Sequence, residues 1–326
     1  MTFTVARAPL RVSLFGGGTD RPEYYQRHGS GNVLSFAINK FMHVAINKVD
    51  NKALKVSYSQ LETVNDLVDL KHDIVRETWR AHNLGMGWEI ASFADLPTVG
   101  TGLGSSSSFA VALVKTLSRY DRDFYCIARN QIAEKACDIE MRLCGSPIGK
   151  QDQYAAAYGG VNWFSFDVNG KVERTGVIHE SLIADAEEWM LLFYTGISRS
   201  TNEVLSKQVV NDTNYEILKQ MEAQVAEGAI ALSRLDMPKV GSLLHEAWEL
   251  KRRLPNVTSQ LINEIYNKAI NAGAIGGKVL GAGGGGFMLF IAHSSKHAAI
   301  KEALGTLKHT PFHIEESGVQ LLTANH

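Results

Sequence analysis

Three stretches of this chain are rich in glycine, and the first two add hydroxyl or acidic side chains, a combination that can hold a phosphate group. They are FGGGTD (15–20), GTGLGSSSS (100–108) and GAGGGG (281–286). In the second stretch the serines run directly into the apolar segment 109–114, which is typical of a helix start. Glycines just before a helix let backbone N–H groups face an anion, which the helix dipole also favours. We therefore predict that this stretch is a phosphate cradle.

Two other interpretations of the glycine–serine stretch remain open. A flexible linker is disfavoured because an apolar helix, and not a second polar segment, follows it. A tight strand-to-helix turn would use the glycines for packing alone. Known phosphate motifs do not apply elsewhere: GGKV (276–279) fails the Walker A pattern, and the G-x-G-x-x-G match within 281–286 lacks the βαβ context of a dinucleotide site.

Composition excludes several classes of protein. The chain has 326 residues, 45% of them hydrophobic and 21% charged, with a formal net charge of −1. No overall field attracts nucleic acid or an anionic membrane, so we expect neither as a partner. The start lacks the layout of a signal peptide, no stretch has membrane-spanning length, and Cys126, Cys137 and Cys144 form no CxxC motif. We expect a cytoplasmic protein with reduced thiols.

The glycine blocks must be positioned by a mixture of strands and helices. Periodicity predicts strands at 4–15, 32–49, 88–96, 159–168, 189–196 and 311–323. It predicts helices at 66–83, with Asp66 as N-cap, and at 109–120, 124–143, 202–234, 237–254, 258–272 and 295–307. The second of these helices is apolar nearly all round, as a buried helix should be. The fold class is α+β with two lobes, 1–185 and 186–326.

Taken together and in this order, PLRVSLFGGGTD, PTVGTGLGSSSS and KVLGAGGGGF resemble the three signature motifs of the GHMP kinases. The resemblance spans the chain from Pro9 to Phe287. It implies an N-terminal lobe like ribosomal protein S5 domain 2, a ferredoxin-like C-terminal lobe, and an active site between them that uses ATP and Mg²⁺. GGGTD and GKQDQYAAAYGG (149–160) are similar to the branch of sugar-1-kinases that contains the D-glycero-D-manno-heptose 7-phosphate kinases.

The resemblance assigns the ATP side of the site. The phosphate cradle would consist of Gly100, Gly102, Leu103, Gly104, Ser105, Ser106 and Ser107, through backbone N–H groups first. Ser106, or Ser107 beside it, would contact Mg²⁺. Glu140, twelve residues before Asp152, is the expected second metal ligand, with Glu134 as the alternative. A solvated carboxylate on a helix face is the other interpretation of Glu140. The adenine pocket is expected within 57–82.

Asp152 matches the position of the family's catalytic aspartate. It would accept or orient the proton of the attacking sugar hydroxyl. The other interpretation is a helix N-cap. Arg11 is expected to pair with Asp152 and keep it ionised, unless it is an ordinary strand arginine. Lys150 could do the same or contact the transferred phosphate, and the sequence does not rank these two cations.

The acceptor side is assigned to the first and third glycine blocks. The expected substrate-binding residues are Gly17, Gly18, Thr19, Asp20, Gly283, Gly284 and Gly285, with Gly281 in the same loop. Arg21 departs from the usual motif and is either a phosphate ligand or a surface residue. Candidate ligands for a phosphate on the acceptor, which solvent-facing charges would explain equally well, are Arg199, Lys251, Arg252 and Arg253.

The resemblance implies an ATP- and Mg²⁺-dependent kinase whose partner is a small-molecule sugar or sugar phosphate. The expected reaction phosphorylates the anomeric hydroxyl of D-glycero-D-manno-heptose 7-phosphate, giving the 1,7-bisphosphate. Three alternatives stay open: a 1-kinase for a free hexose such as fucose, a non-catalytic sugar sensor, and an NAD-binding oxidoreductase. The expected assembly is a monomer or a homodimer.

Overall fold

The chain folds around two antiparallel-rich sheets. The computed structural model describes residues 3–97, 100–120, 122–124, 128–198, 204–205 and 212–322. The large sheet has the strand order β12-β1-β2-β5-β3-β4, with β6 on β2 and β7 on β6. Its strands are β1 Phe3–Phe15, β2 Ser30–Lys48, β3 Leu54–Ser57, β4 Leu61–Val64, β5 Trp88–Ala94, β6 Val161–Asp167, β7 Val172–Gly176 and β12 Gln320–Leu321. The 19-residue β2 organises this sheet, because one part pairs with β6 and another with β5.

The smaller sheet has four strands in the order β11-β8-β10-β9. They are β8 Met190–Tyr194, β9 Gly276–Val279, β10 Phe287–Ile291 and β11 Lys308–His309. Beta10 is buried along its whole length because β8 and β9 flank it. The third glycine block is the connection between β9 and β10, so both of its ends are anchored in a sheet.

The described helices pack on these sheets. They are α1 Pro22–His28, α2 Asp73–His82, α3 Ser105–Leu117, α4 Arg129–Cys137, α5 Gln151–Tyr158, α6 Ile183–Glu187, α7 Asp212–Ser233, α8 Met237–Lys251, α9 Gln260–Asn271 and α10 His297–Ala303. Alpha3 packs against β1, β2, α4 and α5 and is buried on nearly every side. This confirms the buried helix that its uniform apolarity predicts. None of the helices in the described ranges combines the length and apolarity needed to cross a membrane.

Several predicted elements differ from the observed ones. The helix predicted at 66–83 begins only at Asp73, because Asp66 caps a short 3₁₀ turn, Leu67–Asp69, by accepting a hydrogen bond from the Val68 N–H. The helix predicted to end at 143 passes at Asp138 into a π-helical turn. Of the strand predicted at 311–323, the described residues form only β12, at Gln320–Leu321, and an isolated bridge between Ile314 and Ile38, whereas β11 precedes this range and belongs to the other sheet. The lobe boundary near 185 stays a prediction.

Candidate active site

An ion pair between Arg11 and Asp152 lies at the centre of the candidate site. Arg11 Nε donates to Asp152 Oδ1 at 2.7 Å, and Arg11 Nη2 donates to Asp152 Oδ2 at 2.6 Å. Such two-point pairing fixes both side chains. Alpha5 begins at Gln151 with Lys150 as its N-cap residue, so Asp152 lies inside the helix and does not cap it. Its carboxylate is partly open to solvent, whereas the Arg11 side chain is buried.

Lys150 differs from Arg11 in what it contacts. Its Nζ donates to both Glu134 carboxylate oxygens at 3.1 Å and to the Gly170 carbonyl at 2.7 Å. These hydrogen bonds involve neither Arg11 nor Asp152. The contacts therefore distinguish the two cations that the sequence left unranked, and they place Arg11 on Asp152.

The glycine–serine stretch forms a turn and the first residues of α3. Gly100, Gly102 and Gly104 have φ values of 63°, 76° and 74°, in the left-handed region that favours glycine. A Cβ at Gly104 would lie 3.2 Å from Asp152 Oδ2, so the turn passes close beside the central ion pair. Arg11 Nη1 also donates to the Gly102 carbonyl at 2.5 Å.

This turn borders a pocket that we call the phosphate-loop pocket. Its lining includes Gly100, Thr101, Gly102, Gly104, Ser105, Ser106, Ser107, Glu140 and Asp152. Leu103 differs from the other predicted cradle residues, because its side chain is in the core and its carbonyl accepts a hydrogen bond from the Arg11 N–H. The structure also places Thr101, Asp73 and Ser146 in this lining, which the sequence had not singled out.

Glu140 lies inside the phosphate-loop pocket with only 1% of its surface exposed. Ser106 Oγ donates to Glu140 Oε1 at 2.6 Å, and Gln153 Nε2 donates to Glu140 Oε2 at 2.6 Å. Burial raises the pKa of this carboxyl to about 7, partly offset by those hydrogen bonds. A solvated carboxylate on a helix face does not describe this residue.

The residues around Glu140 are suited to Mg²⁺. A buried carboxylate and an adjoining hydroxyl are hard oxygen donors, and Mg²⁺ usually takes one or two protein carboxylates together with substrate phosphates and water. Within the described ranges, no group of three His, Cys, Asp or Glu residues could hold a metal by itself. A site completed by nucleotide phosphates agrees with both observations. Glu134, the alternative ligand, instead accepts from Lys150 and from the Tyr154 hydroxyl.

A second pocket, the acceptor-side pocket, lies across the Arg11–Asp152 pair. It shares Arg11, Ile148, Asp152, Gly281 and Ala282 with the phosphate-loop pocket. The rest of its lining includes Ser13, Gly17, Gly18, Asp20, Arg21, Gln151, Lys251 and Lys278. The two pockets therefore meet at Asp152, the arrangement that transfer between two bound molecules requires.

The GGGTD turn contributes Gly17, Gly18 and Asp20 to the acceptor-side pocket. Asp20 accepts hydrogen bonds from Gly18 N at 3.1 Å, Gln151 N at 3.0 Å and Gln151 Nε2 at 3.0 Å. Burial raises the pKa of Asp20. Thr19 instead holds the turn together, because its hydroxyl oxygen lies 2.8 Å from the backbone carbonyl oxygens of both Gly16 and Asn32 and accepts a hydrogen bond from the Asn32 N–H at 3.0 Å.

The third glycine block packs against the turn at 100–104. A Cβ at Gly281 would lie 2.5 Å from Gly102 Cα, and one at Gly286 would lie 2.2 Å from the Thr101 carbonyl oxygen. The loop contributes Gly281 and Ala282 to both pockets. The three glycines predicted to bind substrate face other loops: Gly283 and Gly284 contact Val257, and Gly285 contacts Ile197. The sequence did not predict this interlocking of the second and third blocks.

The cations proposed for an acceptor phosphate have different positions. Lys251 lines the acceptor-side pocket. Arg252 pairs with Glu249 at 2.9 Å near the surface, and Arg253 is exposed. Arg199 lies outside the described residues. Lys278 also lines the pocket, and its sequence signal is its place three positions before the third glycine block.

An aromatic pocket adjoins the phosphate-loop pocket and shares no lining residue with the acceptor-side pocket. Its lining includes Tyr58, His72, Phe93 and Phe109, together with Ser105 and Ser106 of the phosphate loop. The His72 ring lies 4.8 Å from the ring centroids of both Tyr58 and Phe109. Burial lowers the pKa of His72, which favours the neutral ring. The segment 57–82 supplies one wall of this pocket, and β5 and α3 supply the others.

Known proteins share both parts of this chain. Residues 71–160 match the GHMP kinases N terminal domain, and residues 229–308 match the GHMP kinases C terminal domain. The chain is 30% identical over 316 residues to D-glycero-alpha-D-manno-heptose 7-phosphate kinase of Campylobacter jejuni, covering 91% of this chain and 92% of that protein. It is 24% identical to L-fucokinase/L-fucose-1-P guanylyltransferase of Bacteroides fragilis, covering 90% of this chain and 35% of that protein.

Solved structures share the fold. A D-glycero-D-manno-heptose 1-phosphate kinase from Bacteroides thetaiotaomicron superposes with a TM-score of 0.79 at 23% identity, covering 99% of this chain and 100% of that one. Lactococcus lactis galactokinase complexed with galactose gives a TM-score of 0.77 at 18% identity, covering 98% and 95%. Kinases of this family use ATP as phosphate donor. These matches confirm the resemblance drawn from the three glycine blocks: the chain belongs to the GHMP kinases, with the α+β fold of that family, and is a phosphotransferase of the sugar-kinase type.

Proposed function

We propose that this enzyme transfers the γ-phosphoryl group of ATP to the anomeric hydroxyl of D-glycero-D-manno-heptose 7-phosphate, giving the 1,7-bisphosphate and ADP. The observation that carries the proposal is the junction of two pockets at one ion pair, with a phosphate-binding turn on one side and buried polar side chains on the other. The acceptor identity is supported by the heptose 7-phosphate kinase of Campylobacter jejuni, which aligns over almost the whole chain.

On the ATP side, the adenine ring would enter the aromatic pocket beside Tyr58 and His72. The phosphates would then reach the turn 100–104, where backbone N–H groups and the start of α3 stabilise negative charge. Glu140 and Ser106 would hold Mg²⁺, which neutralises charge on the transferred phosphoryl group when bound. The predicted site residues on this side thus act mainly by positioning.

On the acceptor side, Asp152 would orient the anomeric hydroxyl and take its proton as the new O–P bond forms. Arg11 stabilises the negative charge of that carboxylate and holds its orientation. Asp20 would accept hydrogen bonds from ring hydroxyls, since Gly18 and Gln151 already fix its position. A role for Lys150 at the reacting atoms stays a prediction that its contacts with Glu134 do not support. The proposed setting is a cytoplasmic monomer or homodimer.

The test is ADP release by the purified enzyme with ATP, Mg²⁺ and a panel of acceptors. The panel contains heptose 7-phosphate, the same heptose without its phosphate, fucose and galactose. We expect turnover with heptose 7-phosphate, and ³¹P NMR should show an anomeric phosphate in the product. Turnover with free sugars alone would contradict the heptose phosphate proposal and favour a 1-kinase for a free hexose such as fucose. The similarity to the Bacteroides fragilis fucokinase supports that alternative. No turnover with any sugar, together with tight sugar binding, would favour a sensor.

A further inference from the structure

Two lysines from the C-terminal part of the chain line the acceptor-side pocket and are buried there. Lys251, at the end of α8, is 7% exposed, and Lys278, in β9, is 2% exposed. Lys251 Nζ donates to the carbonyls of Val279 at 3.0 Å and Gly281 at 2.6 Å. Lys278 Nζ donates to the Leu14 carbonyl at 2.7 Å. Backbone carbonyls thus hold both ammonium groups in place at the pocket wall.

Among the described residues, these two cations have no counterion of their own. In the part of the chain that the structure describes, neither ammonium group forms an ion pair with a carboxylate. Asp152, at the end of the same pocket, is already paired with Arg11. Burial, together with repulsion by Arg11, lowers the pKa of Lys278 to about 7, and burial and the nearby Lys278 lower the pKa of Lys251 well below its usual value. Two buried like charges are costly unless an anion joins them.

A hydroxyl in the same pocket also lacks a partner. Ser13 is 4% exposed and lines the acceptor-side pocket, yet its Oγ makes no hydrogen bond to any described residue. Buried polar atoms nearly always have a partner, so an unpaired one that faces a pocket indicates a ligand. Ser13 directly precedes Leu14, whose carbonyl holds Lys278. The free hydroxyl and the two lysines therefore belong to one pocket.

We propose that Ser13, Lys251 and Lys278 form an anion subsite that binds a phosphate group already present on the acceptor. The lysines line the acceptor-side pocket, whereas the phosphate-loop pocket has its own backbone cradle for ATP. Lysine binds phosphate as a point charge and fits a site whose remaining donor is a single hydroxyl. This subsite rests on the proposed function for the identity of the acceptor, but its chemistry requires only a sugar phosphate.

The subsite predicts that the enzyme selects phosphorylated over unphosphorylated acceptors. An acceptor without the phosphate would leave two buried cations and a hydroxyl unsatisfied, and sites with buried polar groups reject such analogues strongly. The phosphorylated acceptor removes that cost. The preference for a phosphorylated acceptor over an unphosphorylated one should therefore depend on the three subsite residues, and it should be lost when they are replaced.

The experiment compares K251M, K278M and S13A with the wild type, using heptose 7-phosphate and the unphosphorylated heptose as paired acceptors. We expect either lysine variant to lose at least about 30-fold in kcat/KM with the phosphorylated acceptor, mainly through KM, because it removes a buried charged contact. S13A should lose about fivefold. With the unphosphorylated heptose, and for the KM of ATP, each variant should stay within about threefold of the wild type.

Two control variants match these changes. S35A removes a hydroxyl from the residue directly opposite Ser13 in the β1–β2 pair, and K268M removes an exposed lysine of α9. The S35A and K268M variants should both keep the wild-type preference for the phosphorylated acceptor. If a lysine variant fails to fold in a thermal melt, S13A and the conservative K278R still test the subsite, since S13A removes only one oxygen atom.

Each outcome has one meaning. Equal losses with both acceptors would overturn the subsite and place the lysines on the transferred phosphoryl group or on loop geometry. An unchanged preference in folded variants would overturn it as well. If the wild type prefers another phosphorylated sugar, such as mannose 6-phosphate, over its free sugar and the variants lose that preference, the subsite holds and the heptose assignment fails. A wild type that prefers no phosphorylated acceptor overturns both.

Discussion

The two pockets that meet at Asp152 are built in different ways. The phosphate-loop pocket is built around one continuous stretch, 100–107, whose backbone conformation is set by Gly100, Gly102 and Gly104. The acceptor-side pocket gathers side chains that lie far apart in the sequence, from Ser13 to Lys278. One pocket is thus centred on a local motif, and the other is assembled mainly from distant parts of the chain.

The difference follows from what each pocket has to recognise. Phosphates of a nucleotide are bound by N–H groups and a helix start, which any sequence with the right glycines can supply. An acceptor sugar needs charges and hydroxyls at particular distances, held by rigid elements. We therefore expect changes on the two sides to affect different kinetic constants, and the following predictions test that separation.

The largest effect should come from Asp152, which belongs to both pockets. D152N keeps the side-chain shape but removes the proton acceptor, so kcat should fall at least about 100-fold while ATP binding is largely retained. Steady-state kinetics and equilibrium titration with ATP measure the two effects. D185N, at an exposed carboxylate of α6, serves as control. Normal turnover by D152N would remove Asp152 from the mechanism.

Glu140 should come next and should affect the ATP side only. E140Q removes the buried carboxylate next to Ser106, so the Mg²⁺ concentration for half-maximal activity should rise at least about tenfold. The KM of the acceptor should change little. E134Q is the matched control, because Glu134 is bonded to Lys150 and Tyr154. A larger effect of E134Q would exchange the roles of the two glutamates.

Gly102 tests whether the third glycine block supports the phosphate loop. A Cβ there would lie 2.4 Å from the Leu280 carbonyl oxygen, in addition to the strain of a φ of 76°. G102A should raise the KM of ATP about tenfold and lower the free energy of unfolding by about 2 kcal/mol or more.

The matched control for G102A is G85A. Gly85 has a similar φ of 70°, but nothing lies within 4 Å of its Cβ position, so this variant carries the backbone strain alone. Urea unfolding and the KM of ATP should show a smaller loss for G85A. Equal effects of the two variants would mean that the contact between the loops is unimportant.

The smallest effect should come from the aromatic pocket. Y58A removes a ring that packs against His72, so the KM of ATP should rise about threefold to tenfold, the size of a lost aromatic contact. The KM of the acceptor should not change. Y58F keeps the ring and loses only the hydroxyl, which bonds Glu62 at 2.9 Å, and should stay within about twofold. An effect of Y58A on the acceptor alone would contradict the placement of adenine.

Local features of the site were predictable from the sequence. The glycine–serine stretch, the buried α3 that follows it and the GGGTD turn depend on backbone conformation within a few residues, which glycine and hydroxyl residues control directly. The family motifs placed Arg11 and Asp152 together, and the structure has them in contact. Element ends were less predictable: Asp66 caps a 3₁₀ turn instead of a long helix, because both starts use the same cap chemistry.

The contacts between distant parts of the chain were decided by the tertiary structure alone. The sequence by itself determined the family and the three glycine blocks, and the family motifs predicted the contact between Arg11 and Asp152. It did not show that Gly281 and Gly286 pack on the phosphate loop, that Thr19 is used inside its own turn, or that Lys278 reaches Leu14 across 264 positions. A short motif encodes its own backbone, whereas a pocket lined by two lobes exists only after hydrophobic packing has brought those lobes together.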